Sequence, residues 1–142
     1  MEEIKKCKWF ELHELLPPEV YRGKDEGWEL IDDRLKEVID VLRGEIIKAP
    51  LICNTWWMNG NRKWSGYRTA DCPVGAAKSQ HKAGRAVDLL CYKYTAEQMR
   101  QMILDKQDML PYPVRIEDGV NWLHVDTKPR DYKGDKVYLF SA

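Results

Sequence analysis

The chain has no C-x-x-C pair, no surplus of either charge, no long apolar run and no internal repeat, and each absence removes a class of function. Its four cysteines, Cys7, Cys53, Cys72 and Cys91, are widely spaced, so neither a zinc knuckle nor a thioredoxin-type site is indicated. They are expected as reduced or buried thiols, since free Cys behaves as a small core residue. Lys plus Arg equals Asp plus Glu, 23 against 23, which leaves no overall attraction toward nucleic acid or an acidic membrane, and neither is expected as a partner. The first apolar stretch is broken at once by Glu2, Glu3, Lys5, Lys6 and Lys8, and nothing approaches a membrane span or a signal-peptide core. Synthesis in the cytoplasm without an export signal of its own is the expectation.

What is present fits one soluble globular domain: 142 residues, 44% hydrophobic and 32% charged, enough to bury a core without cross-links. The expected domain is 1–142, with an irregular lead-in over 1–27 that holds Pro17-Pro18 and Gly23 and lies over the rest. From 28 to 43, Trp28, Leu30, Ile31, Leu35, Val38, Ile39 and Leu42 recur at three- and four-residue steps, which predicts a helix that Gly44 stops. The apolar, branched and aromatic run 51–57 predicts a strand, and Asn59-Gly60-Asn61 a turn. Thr95 and Gln98 form a T-x-x-Q capping box for a second helix that ends near Lys106, with Met99, Met102 and Ile103 on its buried face.

Two alternating runs, 114–117 and 122–126, predict a hairpin with the four-residue loop Asp118-Gly119-Val120-Asn121. In that register Glu117 faces Trp122 and Arg115 faces His124. Because successive strand residues point to opposite faces, Arg115, Glu117, Trp122, His124 and Asp126 share one face, and Ile116, Leu123 and Val125 the other. The apolar face reads as core and the polar face as a site.

His81 and Asp88 lie in Ser79-Gln80-His81-Lys82-Ala83-Gly84-Arg85-Ala86-Val87-Asp88, a spacing that alone says little. Joined by His124 on the polar sheet face, they make two His and one carboxylate, the ligand set of a catalytic zinc ion that keeps a position open for water. A nearby carboxylate could take that water's proton, and Glu117 shares the face of His124. Asp126 shares it too, either to orient a ring N–H or only to end the strand. His13 reads as a surface residue. The segment 56–64, rich in Trp with basic and amide groups, reads first as core; its functional readings are a rim for sugar or peptide and, less favoured at zero net charge, a nucleic-acid stacking platform.

Three blocks give the chain a family likeness: Trp64-Ser65-Gly66-Tyr67-Arg68-Thr69, the S-x-H-x-x-G-x-A-x-D block from Ser79 to Asp88, and Trp122-Leu123-His124-Val125-Asp126. In these it resembles the M15 D-Ala-D-Ala peptidases, part of the wider group that contains the hedgehog signalling domain and the lysostaphin-type peptidases. With their order and intervening lengths the blocks span about half of the chain, and the motif-bearing part runs from about 50 to 128.

The resemblance implies an α+β fold in which a small antiparallel sheet carries the metal on one face and packs helices on the other. It implies one Zn2+ held by His81, Asp88 and His124, an acid shortly before the last His as general base, and Arg68 and Ser79 touching substrate or the developing oxyanion. For Arg68 the plain alternative is a salt bridge, and for Ser79 a turn hydrogen bond. In several relatives the base precedes the His by three or six residues; here Glu117 precedes it by seven and Asp118 by six. Facing selects Glu117, with Asp118 left in the turn.

The implied activity is a metallopeptidase that hydrolyses peptidoglycan stem peptides, as a carboxypeptidase or as an endolysin-like endopeptidase of phage or prophage origin that acts as a monomer at the bacterial cell wall. The alternatives are a hedgehog-like zinc module that binds a partner without peptidase activity, and zinc as a structural staple with a closed four-ligand shell.

Overall fold

A computed structural model describes residues 3–76, 78–130 and 134–141. The chain is α+β, with a four-stranded mixed sheet in the order β1-β3-β2-β4: β1 Ala86–Leu89, β2 Val114–Asp118, β3 Leu123–Asp126 and β4 Val137–Ser141. Two helices, α1 Asp33–Val41 and α2 Ala96–Asp105, accompany it. Strands β1, β3 and β2 are antiparallel, while β4 runs parallel to β2, so the expected all-antiparallel sheet is corrected to a mixed one.

Alternation along the strands sorts side chains as the sequence pattern demands. Val87, Leu89, Val114, Ile116, Leu123 and Val125 are buried and join Leu35, Val38 and Ile39 of α1 and Met99 and Ile103 of α2 in one core. Each such side chain withdrawn from water contributes about 1.5–3 kcal/mol before entropy is counted, so this face anchors the sheet while its other face stays available.

Three local expectations are corrected. The helix predicted over 28–43 is split: a short 3-10 segment, Asp25–Leu30, precedes α1, and α1 passes into a π turn, Leu42–Ile46, closed by the Ile47 amide on the Leu42 carbonyl (2.8 Å). Gly44 lies inside that turn rather than ending the helix; a Cβ there would come within 2.5 Å of the Trp9 indole nitrogen, so its smallness serves packing. The run 51–57 is not a strand. Only Ile52 pairs, in a single bridge to Leu90, and the chain then turns through a 3-10 segment, Trp56–Met58, into left-handed Asn59. The capping box at Thr95 and Gln98 forms as expected, and Lys106 closes α2.

The hairpin register differs from the predicted one by two residues: Arg115 pairs with Asp126 and Ile116 with Val125. The turn therefore lies between Asp118 and Leu123, with Gly119 at φ +80°. A shift of two leaves every side chain on its expected face, because the strand period is two. Carried one step on, the observed register sets Glu117 beside His124.

The lead-in does more than lie over the domain. Leu15 and Leu16 are fully buried, and their carbonyls accept from the Tyr67 amide (2.8 Å) and from the side chains of Asn54 and Trp56 (3.1 and 2.8 Å). Buried Asn54 in turn accepts from the Ser65 amide (2.9 Å), and the Ser65 carbonyl accepts from the Asp88 amide (2.7 Å). The first block of the sequence is thus bolted to the lead-in on one side and to β1 on the other.

Candidate metal centre

The S-x-H-x-x-G-x-A-x-D block forms a tight turn that runs into β1. Gly84 has φ +72°, and a Cβ there would collide with the Leu30 carbonyl, so the block needs glycine on both counts. Its carbonyl accepts from the Asp32 amide (2.8 Å), and Asp32 also accepts from the Thr127 hydroxyl (2.7 Å), which ties the turn, the start of α1 and the end of β3 together. On β1, Val87 and Leu89 enter the core, which leaves Ala86 and Asp88 on the other face. The register places Asp88 beside His124 and Ala86 beside Asp126.

His81, Asp88 and His124 converge: one ligand atom from each lies within 4.8 Å of the others, and no fourth His, Cys, Asp or Glu joins them among the described residues. His81 Nε2 faces Asp88 Oδ2 at 3.4 Å, and His124 Nδ1 faces Asp88 Oδ1 at 2.9 Å. The remaining ring nitrogens are fixed from behind: His81 Nδ1 by the Gly66 carbonyl (2.9 Å) and His124 Nε2 by Asp126 Oδ2 (2.8 Å). Such outer contacts are what metal-bound imidazoles require, and they leave His81 Nε2 and His124 Nδ1 turned inward with a lone pair each when a cation replaces the proton.

Charge keeps the carboxylates ready. Burial pushes the Asp88 carboxyl up, but hydrogen bonds from His124 and His81 and their charges outweigh it and hold the group well below the ordinary carboxylate range. Burial likewise opposes ionisation of Asp126, and His124 and Arg115 outweigh it. His124 is pushed down by burial and lifted by Asp126 and Asp88, with a net rise from 6.5 to about 9. Without a cation, its two ring nitrogens each aim at a carboxylate, an arrangement that only the doubly protonated ring satisfies.

The trio lines a cavity of about 500 Å³ whose walls also carry Arg68, Ser79, Arg115, Glu117, Trp122 and Phe140. All the polar-face residues expected from the hairpin line it except Asp126, which is wholly buried beneath. Glu117 therefore looks into the cavity, whereas Asp118, expected in the turn, is instead the last residue of β2, paired with Ser141: its carboxylate accepts from the Gly119 amide (3.0 Å) and lies 3.7 Å from Arg100 Nε on α2. Arg68 is nearly buried; its Nε donates to the Trp64 carbonyl (2.7 Å) and its Nη2 lies 3.6 Å from Asp88. Ser79 Oγ accepts from the His81 amide (3.2 Å), so it shapes the turn that presents His81 while also lining the cavity.

The chain matches no family model, no curated protein and no solved structure. What the site can do therefore rests on its own geometry.

Other expectations fall elsewhere. None of Trp56, Trp57 and Trp64 lines the cavity or belongs to the core cluster; Trp57 is exposed and meets the His13 ring edge-on at 4.6 Å. The four cysteines are unpaired thiols, with Cys53 and Cys72 buried. A larger hollow, about 670 Å³, opens between the start of α2 and the β2–β3 turn and includes none of the expected ligands. Phe140 was missed by the sequence reading. It stands edge-on to the His124 ring at 5.6 Å, on a strand whose Val-Tyr-Leu-Phe run carried the branched and aromatic signature of a strand.

Proposed function

We propose that this protein is a zinc-dependent peptidase of the M15 kind, with a hedgehog/DD-peptidase-like fold, that hydrolyses peptide bonds in peptidoglycan stem peptides. The observation that carries the reading is the convergence of His81, Asp88 and His124, with no fourth ligand among the described residues, at the wall of an open cavity. Two imidazoles and a carboxylate with a corner left vacant are the donor set of a catalytic zinc ion, and a structural staple would close the fourth corner.

Zinc bound there supplies a Lewis acid that makes water acidic enough to lose a proton near neutral pH. Glu117, on the cavity wall and one strand over from His124, is the carboxylate that would take a proton from such a water and pass it to the leaving amine. Arg68, which lines the cavity with Nε tethered to the Trp64 carbonyl and Nη2 3.6 Å from Asp88, is the cation that meets a substrate carboxylate or charge developing on the scissile carbonyl. Ser79 holds the His81 turn and meets the substrate from the same side. The bacterial cell wall is the place of action, and an endolysin-like enzyme of phage or prophage fits this chain.

The test is direct. Zinc-loaded protein incubated with purified peptidoglycan fragments should release peptides whose masses report cleavage within the stem, and chelation should stop the release. A zinc-loaded protein that cuts no stem peptide overturns the peptidase reading, and one that takes up no zinc overturns the metal centre itself.

A further inference from the structure

Arg115 lies outside the three sequence blocks, yet two of the groups that touch the His124 ring, Asp126 and Phe140, also touch Arg115. Asp126, which braces the His124 ring, is 0% exposed, and its carboxylate is held on all sides. Oδ1 accepts from Arg115 Nε (2.8 Å) and from the Lys128 amide (3.2 Å), and Oδ2 accepts from Arg115 Nη2 (2.9 Å) and from His124 Nε2 (2.8 Å). The two arginine bonds form a fork that fixes the plane of the carboxylate, which a point charge such as lysine cannot do. Phe140 of β4 closes the assembly: the Arg115 guanidinium carbon lies 4.2 Å from its ring centroid, and its edge meets the His124 ring.

We propose that Arg115 is a positioning residue for the metal centre, acting through Asp126 to hold the His124 ring with Nδ1 turned toward Asp88. This rests on the reading of the cluster as a zinc site. A half-turn of the ring about its Cβ–Cγ bond would break the Asp126 contact and withdraw Nδ1 from Asp88, and the fork is what makes Asp126 unable to follow. Strand register builds the device, since Arg115 pairs with Asp126 across β2 and β3 while Asp88 pairs with His124 across β1 and β3.

The experiment measures zinc affinity by competition with a chromophoric chelator for the wild type, Arg115→Met, Arg115→Lys and Asp126→Asn, with denaturant unfolding of the metal-free proteins as the folding control. Loss of an outer contact of this kind lowers metal affinity about 10- to 100-fold, which is the expected result for Arg115→Met, with Arg115→Lys between it and the wild type. The visible spectrum of the Co2+-substituted Arg115→Met protein should shift as the imidazole ligand tilts. If Arg115→Met does not fold, Asp126→Asn, which keeps the shape and loses the charge, is expected to show a loss of the same order.

A folded Arg115→Met or Asp126→Asn protein with wild-type zinc affinity overturns the inference. So does a raised KM with zinc affinity unchanged, which would make Arg115 a substrate contact. Zinc uptake by the wild type separates the two levels: without it the metal centre fails, and with it an unaffected variant overturns the role of Arg115 alone.

Discussion

Glu117 and Asp118 are adjacent acids that leave β2 on opposite faces, one into the cavity with His124 and one toward Arg100 on α2. If Glu117 moves the proton, Glu117→Gln should lower kcat by about 10²- to 10⁴-fold while zinc content stays at the wild-type level. Asp118→Asn should leave kcat within a few-fold. Equal loss in both variants, read from stem-peptide turnover alongside metal analysis, would reject the assignment. His124 offers a second residue-scale test in the metal-free protein. Its folded pKa is raised from 6.5 to about 9, so its contribution to stability is complete below about pH 6.5 and disappears as pH rises through about 9. Asp88 and Asp126 are shifted the other way, and their contributions vanish as pH falls below the ordinary carboxylate range. Ring resonances followed by NMR in chelator should give a His124 midpoint near 9, and a midpoint at or below 6.5 would contradict the clamp between two carboxylates.

At the scale of elements, the turn before β1 makes the sharpest demand on sequence. Gly84→Ala must adopt φ near +72° and push aside the Leu30 carbonyl, which predicts a loss of at least about 1–3 kcal/mol in denaturant unfolding and a weakened zinc site through His81. A variant as stable as the wild type would show that the turn relaxes at no cost. The same element explains why this part of the chain was readable: the spacing of His81, Gly84, Ala86 and Asp88 is set by one turn and one strand, and such local geometry leaves a local pattern. The hairpin was readable as to faces because a two-residue slip preserves them, but its register was not, since the turn between Asp118 and Leu123 is fixed by contacts from α2. Arg100 donates to the carbonyls of Glu117 and Trp122 (3.5 and 3.3 Å), a partnership no spacing announces. The strand expected over 51–57 failed for a related reason: apolar and aromatic residues there pack or bond singly, as the Trp57 indole does to the Asn54 carbonyl (2.8 Å), and an apolar run alone does not say whether a ladder partner exists. The parallel pairing of β4 with β2 depends on where the chain returns after residue 130, which only the assembled sheet decides.

For the whole molecule, the three candidate ligands come from the turn before β1, from β1 and from β3, and they are held by a lead-in, a helix start and a hairpin that share one core. No described helix is long and apolar enough to cross a membrane. A cation that binds only when these parts are assembled must stabilise the assembly, by about 2.7 kcal/mol when free zinc stands at a hundred times its Kd. In a domain of this size that corresponds to a rise in Tm of roughly 5–15 °C. Thermal unfolding of chelator-treated protein, repeated with buffered zinc, should show this rise and its growth with the logarithm of free zinc. His81→Ala should nearly abolish the zinc-dependent increment, because two ligands remain, whereas Cys91→Ala, well outside the trio, should keep it in full. The converse result, a zinc response untouched by His81→Ala, would mean that the ion sits elsewhere and that the convergence of the three side chains serves the fold as a hydrogen-bonded cluster, with His124 as an imidazolium between Asp88 and Asp126.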